Sequence, residues 1–268
     1  MQAIDTPTQE EIIPEPRIWH YRELLKNLVT KDLKLKYSGS VLGLLWSLVN
    51  PLVMIVVYSI AFTYILQVRA EKFTLFLITG ILPWTFFSSA VMASTVAVIA
   101  NGNLVKKIHF PRELLPISTV LFNLAQFLLA LLVFFPAMVF LGAQFTVALV
   151  AYPLVLLLQV AFTLGLAFVL SAVTVFYKDI KHLTEVGLMI VFWITPILYD
   201  LSLVPERERP FFKLNPLTAY TIAYQDIVYR GRWPVLETWV VGFVWAAVVL
   251  ALGWVVFRRY KPSFAEEL

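Results

Sequence analysis

Long runs without a charged residue are the feature that most constrains this chain. Residues 37–68, 73–105, 114–177 and 238–257 contain no Asp, Glu, Lys or Arg. Only 14% of the 268 residues are charged, against about 25% in an ordinary soluble domain. Crossing about 30 Å of hydrocarbon takes about 20 helical residues. Each run is therefore long enough to span a bilayer, and the run 114–177 is long enough to span it twice.

The apolar runs predict an all-α integral membrane protein with six transmembrane helices in residues 37–268. The longest run divides at Gly142-Ala143-Gln144, where a flexible residue and a polar amide interrupt the apolar pattern. We place the spans near residues 41–67, 73–100, 116–141, 146–176, 183–199 and 237–257.

The distribution of basic residues predicts that both termini are cytoplasmic. With the N-terminus inside, the inner segments contain 14 of the 21 Lys and Arg residues, and basic residues are retained on the cytoplasmic side. The first 36 residues are polar, so we expect no cleavable signal peptide. The acidic, proline-containing tail at 1–16 is expected to be a disordered cytoplasmic segment.

Residues 17–36 are predicted to form an amphipathic helix at the membrane interface. Ile18 and Leu25 fall on its apolar face, while Arg22 and Lys26 fall on its polar face. Such a helix is either a membrane-surface anchor or a surface that also docks a cytosolic partner.

The predicted inner loop at 101–116 carries two prolines around a helix-sized piece. Pro111 suits the first position of a helix, and an exposed turn with Phe110 and Arg112 would suit the groove of a partner. The alternative is an ordinary connecting loop.

The predicted outer segment at 200–237 is only partly polar. Asn215 can cap a helix that Pro216 begins, and Gly231 can end it. We therefore expect one or two short helices at or in the outer interface, acting either as a lid on the loop or as a gate.

The sequence lacks the motifs for nucleotide binding, metal binding and ion coupling. No segment fits the phosphate-binding pattern GxxxxGK[ST], and no Gly is followed by Lys. His20, His109 and His182 have no ligand-like spacing, so no metal site is predicted. Glu185 lies at the inner end of the fifth predicted span and is interpreted as an interfacial residue rather than part of an ion relay.

The predicted spans contain many aromatic residues and few charged ones. The chain has 21 Phe, 11 Tyr and 8 Trp. Some of them are expected to belong to the interfacial belts that Trp and Tyr favour. Others, such as Tyr58 and Phe62 at i and i+4, could line a channel whose flat apolar ring faces suit sugar rings.

Short motifs along the chain resemble those of permease subunits of ABC-2 type exporters, most closely the polysaccharide branch that exports O antigen or teichoic acid. Their order and spacing carry the resemblance. The motifs are KYSGSVLGLLW at 36–46, NPL at 50–52, LPWTFF at 82–87, FPRELLP at 110–116, YKDI at 177–180, TPILY at 195–199 and NP at 215–216.

The resemblance implies a non-catalytic permease of the cytoplasmic membrane that forms a homodimer with two copies of a cytosolic ATPase. ATP and Mg would bind the ATPase, and this chain would carry no cofactor. The implied substrate is an undecaprenyl-linked polysaccharide, O antigen or teichoic acid, and nucleic acid has no role. Gating helices are implied at about 203–230.

The resemblance also suggests three groups of site residues. The expected ATPase contacts are Tyr21, Lys26, Lys106, Lys107, Phe110, Arg112 and Glu113. The expected channel lining is Tyr58, Phe62, Trp84, Phe87, Trp193 and Tyr199. The expected outer gate is Tyr220, Tyr224 and Ile227.

Three other functions are alternatives to polysaccharide export, and the sequence leaves two of them open. One is an ABC-2 exporter of drugs or small lipids, and another is an ion-coupled flippase that works alone. A membrane enzyme such as a glycosyltransferase is disfavoured, because the chain lacks the paired acidic motif that such chemistry needs near a membrane face.

Overall fold

The computed structural model describes residues 21–37, 45–65, 67, 72–107, 110–144 and 146–268, and these residues contain helices and no strand. The predicted tail at 1–16 and residues 17–20 of the interface helix lie outside the described residues. The α-helices are α1 Arg22–Tyr37, α2 Trp46–Ile60, α3 Phe73–Thr95, α4 Gly102–Lys107, α5 Leu114–Phe140, α6 Tyr152–Phe176, α7 Ile180–Ile194, α8 Arg209–Leu214, α9 Pro216–Tyr224, α10 Leu236–Tyr260 and α11 Phe264–Glu267.

Four helical segments in the described part of the chain are long and apolar enough to cross a membrane: Phe73–Thr95, Leu114–Phe140, Val147–Phe176 and Leu236–Glu267. They correspond to the predicted second, third, fourth and sixth spans. The third and fourth spans separate at Gly142, as predicted, where a positive φ of 79° suits a residue without a Cβ. The apolar pattern therefore located these helices within a few residues.

The predicted first and fifth spans correspond to shorter α-helices. Helix α2 continues into a π-helical turn, Ala61–Ile65, and α7 has 15 residues instead of the 17 expected from 183–199. Helix α7 ends at Ile194 because Thr195 precedes Pro196, and a residue before proline is restricted to extended backbone. Thr195 has φ −83° and ψ 133°.

The connecting segments match the prediction at Asn215 and differ from it at Pro111. Asn215 accepts a hydrogen bond from the backbone N–H of Leu217 and caps α9, which begins at Pro216. Pro111 does not begin a separate helix. It opens a turn that leads directly into α5 at Leu114, whose backbone N–H donates to the Pro111 carbonyl over 3.1 Å.

Two buried clusters hold the helices together. The central cluster joins α3, α5, α6 and α9. The terminal cluster joins α1, α4, the start of α5, the ends of α6 and α10, and α11. Its members include Leu28 of α1 and Phe264 of α11, which is fully buried. The N-terminal helix and the C-terminal segment therefore pack on the same end of the bundle.

Helices α6 and α10 make the most extensive helix pair and approach through glycine. A Cβ built on Gly253 would lie 2.1 Å from the carbonyl oxygen of Gly165, and one on Gly165 would lie 2.5 Å from the Val249 backbone. Small residues allow this close backbone approach, which is common where helices pack in membranes. The first half of α10 lies beside the short helices: Glu237 pairs with Lys213 of α8, and the Gly242 carbonyl accepts from Tyr220 of α9.

Candidate functional site

Phe192 on α7 is the centre of an aromatic cluster that includes four of the six predicted channel residues. Its ring centroid lies 6.5 Å from that of Tyr58, 5.3 Å from Trp84 and 5.7 Å from Trp193. Trp84 in turn lies 5.8 Å from Phe87. Helices α2, α3 and α7 thus contribute to one cluster. Phe192 was missed as a site residue, although its position next to Trp193 was a signal.

The other two predicted channel residues lie outside this cluster. Phe62 packs against Phe73, at 5.2 Å between ring centroids and with the rings tilted by 32°. Tyr199 donates its hydroxyl to the backbone carbonyls of Trp193 and Ile194, over 2.9 and 3.1 Å. It therefore closes the C-terminal end of α7 by satisfying carbonyls that have no partner within the helix.

Exposure divides the aromatic cluster, which we call the Phe192 cluster, into a buried side and an open side. Phe87 is buried at 3% exposure, whereas Trp193 is 61% exposed. Trp84 and Tyr58 are partly buried against the central cluster. The open side offers flat, uncharged ring faces, which bind neutral apolar surfaces without requiring a charge on the ligand.

The three predicted gate residues are buried within the chain. Tyr220, Tyr224 and Ile227 are at most 2% exposed. Tyr220 donates its hydroxyl to the Gly242 carbonyl over 2.7 Å, and Tyr224 donates to Oε1 of Gln159 over 2.8 Å. Buried hydroxyls need such partners, so these tyrosines anchor α9 against α10 and α6.

The predicted ATPase-contacting residues fall into two structural classes. Lys26 on α1 and Lys106 and Lys107 on α4 are exposed. Lys31 Nζ donates to Oδ1 of Asn101 over 3.3 Å, which joins α1 to the segment before α4. The exposed lysines therefore belong to one basic surface made by two neighbouring elements.

The remaining predicted contact residues are engaged within the chain. Tyr21 and Phe110 pack on the terminal cluster. The Arg112 guanidinium donates to the backbone carbonyl of Lys261, and Lys261 Nζ donates to Oε1 of Glu113 over 2.9 Å. Glu113 is 5% exposed. This pairing attaches the loop before α5 to the segment that follows α10.

A buried ionic group lies between α9 and α10, and the sequence analysis missed it. Asp226 is fully buried, and its Oδ1 accepts hydrogen bonds from Arg230 Nη1 over 2.9 Å and from Arg232 Nε over 3.0 Å. Arg230 also pairs with Asp200. The i, i+4 spacing of Asp226 and Arg230 was a signal for this ion pair.

Burial and neighbouring groups have opposite effects on the pKa of the Asp200 carboxyl. Burial raises the pKa of Asp200, but hydrogen bonds from Ser202 and the charge of Arg230 outweigh burial and hold that pKa below its usual value. Among the described residues, no group of three or more His, Cys, Asp or Glu side chains is arranged to hold a metal ion. The charges of this region are therefore paired with each other.

The long apolar helices, the Phe192 cluster and the basic surface define a multi-pass membrane protein. The model of the family described as ABC-2 type transporter matches residues 23–229. The chain belongs to this family, and the resemblance noted from its motifs is confirmed.

The chain is also similar to named transport proteins over three quarters of its length or more. It is 35% identical to the O-antigen export system permease protein RfbA of Myxococcus xanthus, over 94% of this chain and 97% of that protein. It is 32% identical to an RfbA permease of Klebsiella pneumoniae, over 92% and 95%. The polysialic acid transport protein KpsM of Escherichia coli is 23% identical over 76% and 80%.

Proposed function

We propose that this chain is the membrane permease subunit of an ATP-driven exporter that moves a lipid-linked polysaccharide of the O-antigen type across the cytoplasmic membrane. The observation that carries the proposal is the end-to-end similarity, at 35% identity, to an O-antigen export permease. The aromatic and nearly uncharged spans support it, because a neutral sugar chain binds to ring faces without requiring buried charges.

The proposed transmembrane domain has six crossings, with both termini in the cytoplasm. Helix α2 and its π-helical turn, Ala61–Ile65, form a helical segment of about 30 Å, which is enough for a first crossing. Helix α7 alone is about 22 Å long at 1.5 Å per residue. The turn after it, including buried Ile197 and Leu198, extends this fifth crossing. Helices α8 and α9 are the proposed outer interfacial helices.

A separate cytosolic ATPase supplies the energy in this proposal. The sequence has no Gly followed by Lys and hence no phosphate-binding loop of the GxxxxGK[ST] type. Lys26, Lys106 and Lys107 are exposed at the end of the bundle where α1 and α4 both pack on the terminal cluster, and they suit an acidic patch on a partner. ATP and Mg bind that partner, and α1 serves as an interface helix.

Arg112 and Glu113 have a different role in the proposed coupling. Both bond to Lys261, so a push on the loop at 110–113 reaches the end of α10 directly. Tyr21 and Phe110 transmit force to the terminal cluster, on which they pack. ATP-driven closure of two ATPase subunits would thereby move the helices that surround the export path.

The proposed export path runs between two copies of the chain. Helices α2 and α7 expose apolar faces that include Val53, Val57, Met189 and Trp193. The Phe192 cluster is built from the same two helices and α3. A homodimer in which these faces meet would place aromatic rings along the path of the polymer.

The proposed lipid carrier is undecaprenyl phosphate, and the favoured polymer is O antigen rather than teichoic acid. Two of the similar proteins described above are named for O-antigen export and one for polysialic acid transport. An exporter of drugs or small lipids and an ion-coupled flippase are the competing functions.

A deletion strain tests the proposal. Loss of surface polysaccharide, with lipid-linked polymer accumulating inside the cell, is expected, and expression of this chain should restore export. Export should fail when the phosphate-binding Lys of the partner ATPase is replaced by Ala. Normal surface polymer combined with sensitivity to a toxic compound would instead identify a drug or lipid exporter. Transport into liposomes along an ion gradient, without ATPase, would identify a flippase.

A further inference from the structure

Two exposed arginines, Arg258 and Arg259, stand at the predicted inner end of α10, where an apolar stripe ends. The stripe consists of Val248, Leu252 and Val255, which are exposed and follow each other at spacings of four and three residues. Residues three and four apart lie on the same face of a helix. The stripe therefore leads from Val255 directly to the two guanidinium groups.

The apolar stripe faces away from the bundle. Of the four long apolar segments in the described part of the chain, Leu236–Glu267 is the least buried. The homodimer proposed above uses faces of α2 and α7, so this face of α10 is left to the bilayer. A soluble partner cannot cover the stripe, because about 30 Å of hydrocarbon surrounds a membrane-spanning helix.

The Arg258 side chain lies back along α10 instead of extending beyond its end. Its guanidinium carbon is 5.7 Å from the centroid of the Trp254 ring, within the range of a cation–π contact. Trp254 packs at 5.5 Å between ring centroids on the buried Phe168 of α6, which holds the indole in place. Because Trp254 precedes Arg258 by one helical turn, the charge lies about one turn closer to the bilayer centre than its own backbone.

Exposed tyrosines indicate the level of the lipid headgroups at this end of the bundle. Tyr177 after α6 and Tyr260 at the end of α10 are exposed, and Tyr favours the headgroup region. The Tyr260 ring packs 5.3 Å from that of Phe176, so the two helices end at one level. Trp254 lies about 9 Å before Tyr260 along the helix axis. The Arg258 charge is therefore held near the boundary between lipid phosphates and acyl chains.

The two arginines have no acidic partner in the described part of the chain. None of the ion pairs among the described residues includes Arg258 or Arg259. A guanidinium at the edge of the hydrocarbon is costly unless an anion reaches it, and a phosphate accepts two parallel N–H bonds from the guanidinium fork. Two positive charges favour a headgroup with net negative charge over a zwitterionic one.

We propose that Arg258, Arg259 and the apolar stripe bind one anionic phospholipid from the leaflet at this end of the bundle, which is cytoplasmic in the proposed topology. The phosphate lies against the two guanidinium groups, and an acyl chain follows the stripe. Lys261, two residues after Arg259, bonds to Glu113, so the bound lipid holds the end of α10 where the proposed coupling contact is made. The inference rests on the membrane crossing by α10 and not on the exported polymer.

Arg258→Gln tests the site by removing one positive charge from an exposed position. Arg258→Lys keeps the charge but loses the planar fork that stacks on Trp254 and pairs with phosphate. The control is Arg207→Gln, because Arg207 is exposed and lies in the predicted outer segment. Native mass spectrometry of each full-length variant measures the Kd for phosphatidylglycerol. Melting temperatures are compared in nanodiscs of phosphatidylcholine and of phosphatidylcholine mixed with phosphatidylglycerol in equal parts.

Arg258→Gln is expected to weaken phosphatidylglycerol binding about fivefold, the effect of one basic residue near an anionic surface. Phosphatidylglycerol should raise its melting temperature less than that of the wild type, while both proteins melt alike in phosphatidylcholine alone. Arg258→Lys should bind with intermediate affinity, and Arg207→Gln should bind as the wild type does. Equal phosphatidylglycerol binding by wild type and Arg258→Gln would overturn the proposal.

Two other outcomes would also overturn it. If inorganic phosphate stabilises the wild type in phosphatidylcholine nanodiscs as much as phosphatidylglycerol does, the arginines bind the free ion. If Arg258→Gln binds phosphatidylglycerol normally but no longer associates with the ATPase, the arginines belong to the ATPase contact.

Export in the deletion strain is measured separately, so the two proposals fail in different ways. If the chain restores surface polysaccharide but Arg258→Gln binds phosphatidylglycerol normally, the lipid site is wrong and the export function stands. If deletion leaves surface polysaccharide unchanged while Arg258→Gln loses phosphatidylglycerol binding, the export function is wrong and the lipid site stands.

Discussion

The Tyr224 hydroxyl donates a hydrogen bond of 2.8 Å to Oε1 of Gln159, which joins the short helix α9 to α6. The Gln159 amide in turn donates to the Pro83 carbonyl over 3.0 Å. One buried chain of hydrogen bonds therefore connects α9, α6 and α3. Tyr224, a predicted gate residue, thus fixes α9 to the bundle.

Replacing Tyr224 with Phe should lower the free energy of unfolding by about 1–3 kcal/mol, because Gln159 Oε1 would lose its buried donor. Thermal unfolding of the purified protein in detergent measures the effect. Tyr177→Phe is the control, since Tyr177 is 68% exposed, and it should not change the melting temperature. Equal melting temperatures for both variants would contradict an anchoring role for Tyr224.

Gly253→Ala should destabilise the chain strongly, because the new methyl group would lie 2.1 Å from the Gly165 carbonyl oxygen and force α6 and α10 apart. We expect a loss of about 3 kcal/mol, the upper end of the usual range for overpacking. Gly187→Ala on α7 is the matched control, because a Cβ there meets nothing within 4 Å. That variant should be as stable as the wild type, or more stable if Ala favours the helix. A stable Gly253→Ala protein would argue against the close crossing.

The two classes of predicted ATPase-contacting residues should respond differently to charge reversal. Lys106→Glu with Lys107→Glu is expected to weaken ATPase binding several-fold and reduce its salt dependence, without changing the melting temperature, because both lysines are exposed. Arg112→Glu should weaken ATPase binding and also lower the melting temperature, because the variant loses the bond to Lys261 and its new carboxylate repels Glu113. Pull-down and ATP turnover of the reconstituted complex are the measurements.

Arg207→Glu is the control for these reversals, because Arg207 has a side-chain exposure of 94% and lies in the predicted outer segment. It should bind the ATPase normally. Unchanged ATPase binding by the Lys106 and Lys107 double variant would remove α4 from the proposed contact surface.

Trp193→Ala should reduce polysaccharide export several-fold while leaving the melting temperature unchanged, because the ring is 61% exposed on the open side of the Phe192 cluster. Phe192→Ala should reduce export and also cost about 2 kcal/mol of stability, because three aromatic neighbours lose a partner. The control is Trp233→Ala, an equally large exposed ring at 51% outside the cluster. Normal export by Trp193→Ala would indicate that this face contacts lipid.

Local signals in the sequence were sufficient for most of the fold. The uncharged runs located four long helices, Gly142 marked the break between two of them, and Asn215 marked the start of α9. The end of α7 was placed five residues too late, because hydropathy continued through Thr195 and Pro196 although the backbone did not. Hydropathy measures how apolar a segment is, and it does not register a backbone restriction.

The candidate site was harder to predict from the sequence than the fold. Four of the six predicted channel aromatics meet in one cluster, but Phe192, which joins them, was not singled out. The resemblance placed Tyr220 and Tyr224 in an outer gate, and the structure shows that both are buried, with their hydroxyls bonded to Gly242 and Gln159. A resemblance between motifs does not show which neighbour a side chain meets.

The sequence by itself determined that this chain is an all-helical membrane protein of the ABC-2 type, because charge-free length, capping residues and ordered motifs are properties of neighbouring residues. Only the tertiary structure decided that Lys261 bonds to Arg112 and Glu113 and that Gly165 meets Gly253. Such contacts depend on how each helix is rotated about its axis and which neighbour it meets. In an apolar bundle, almost any rotation satisfies the hydropathy pattern, so the few polar and small residues select the one that forms.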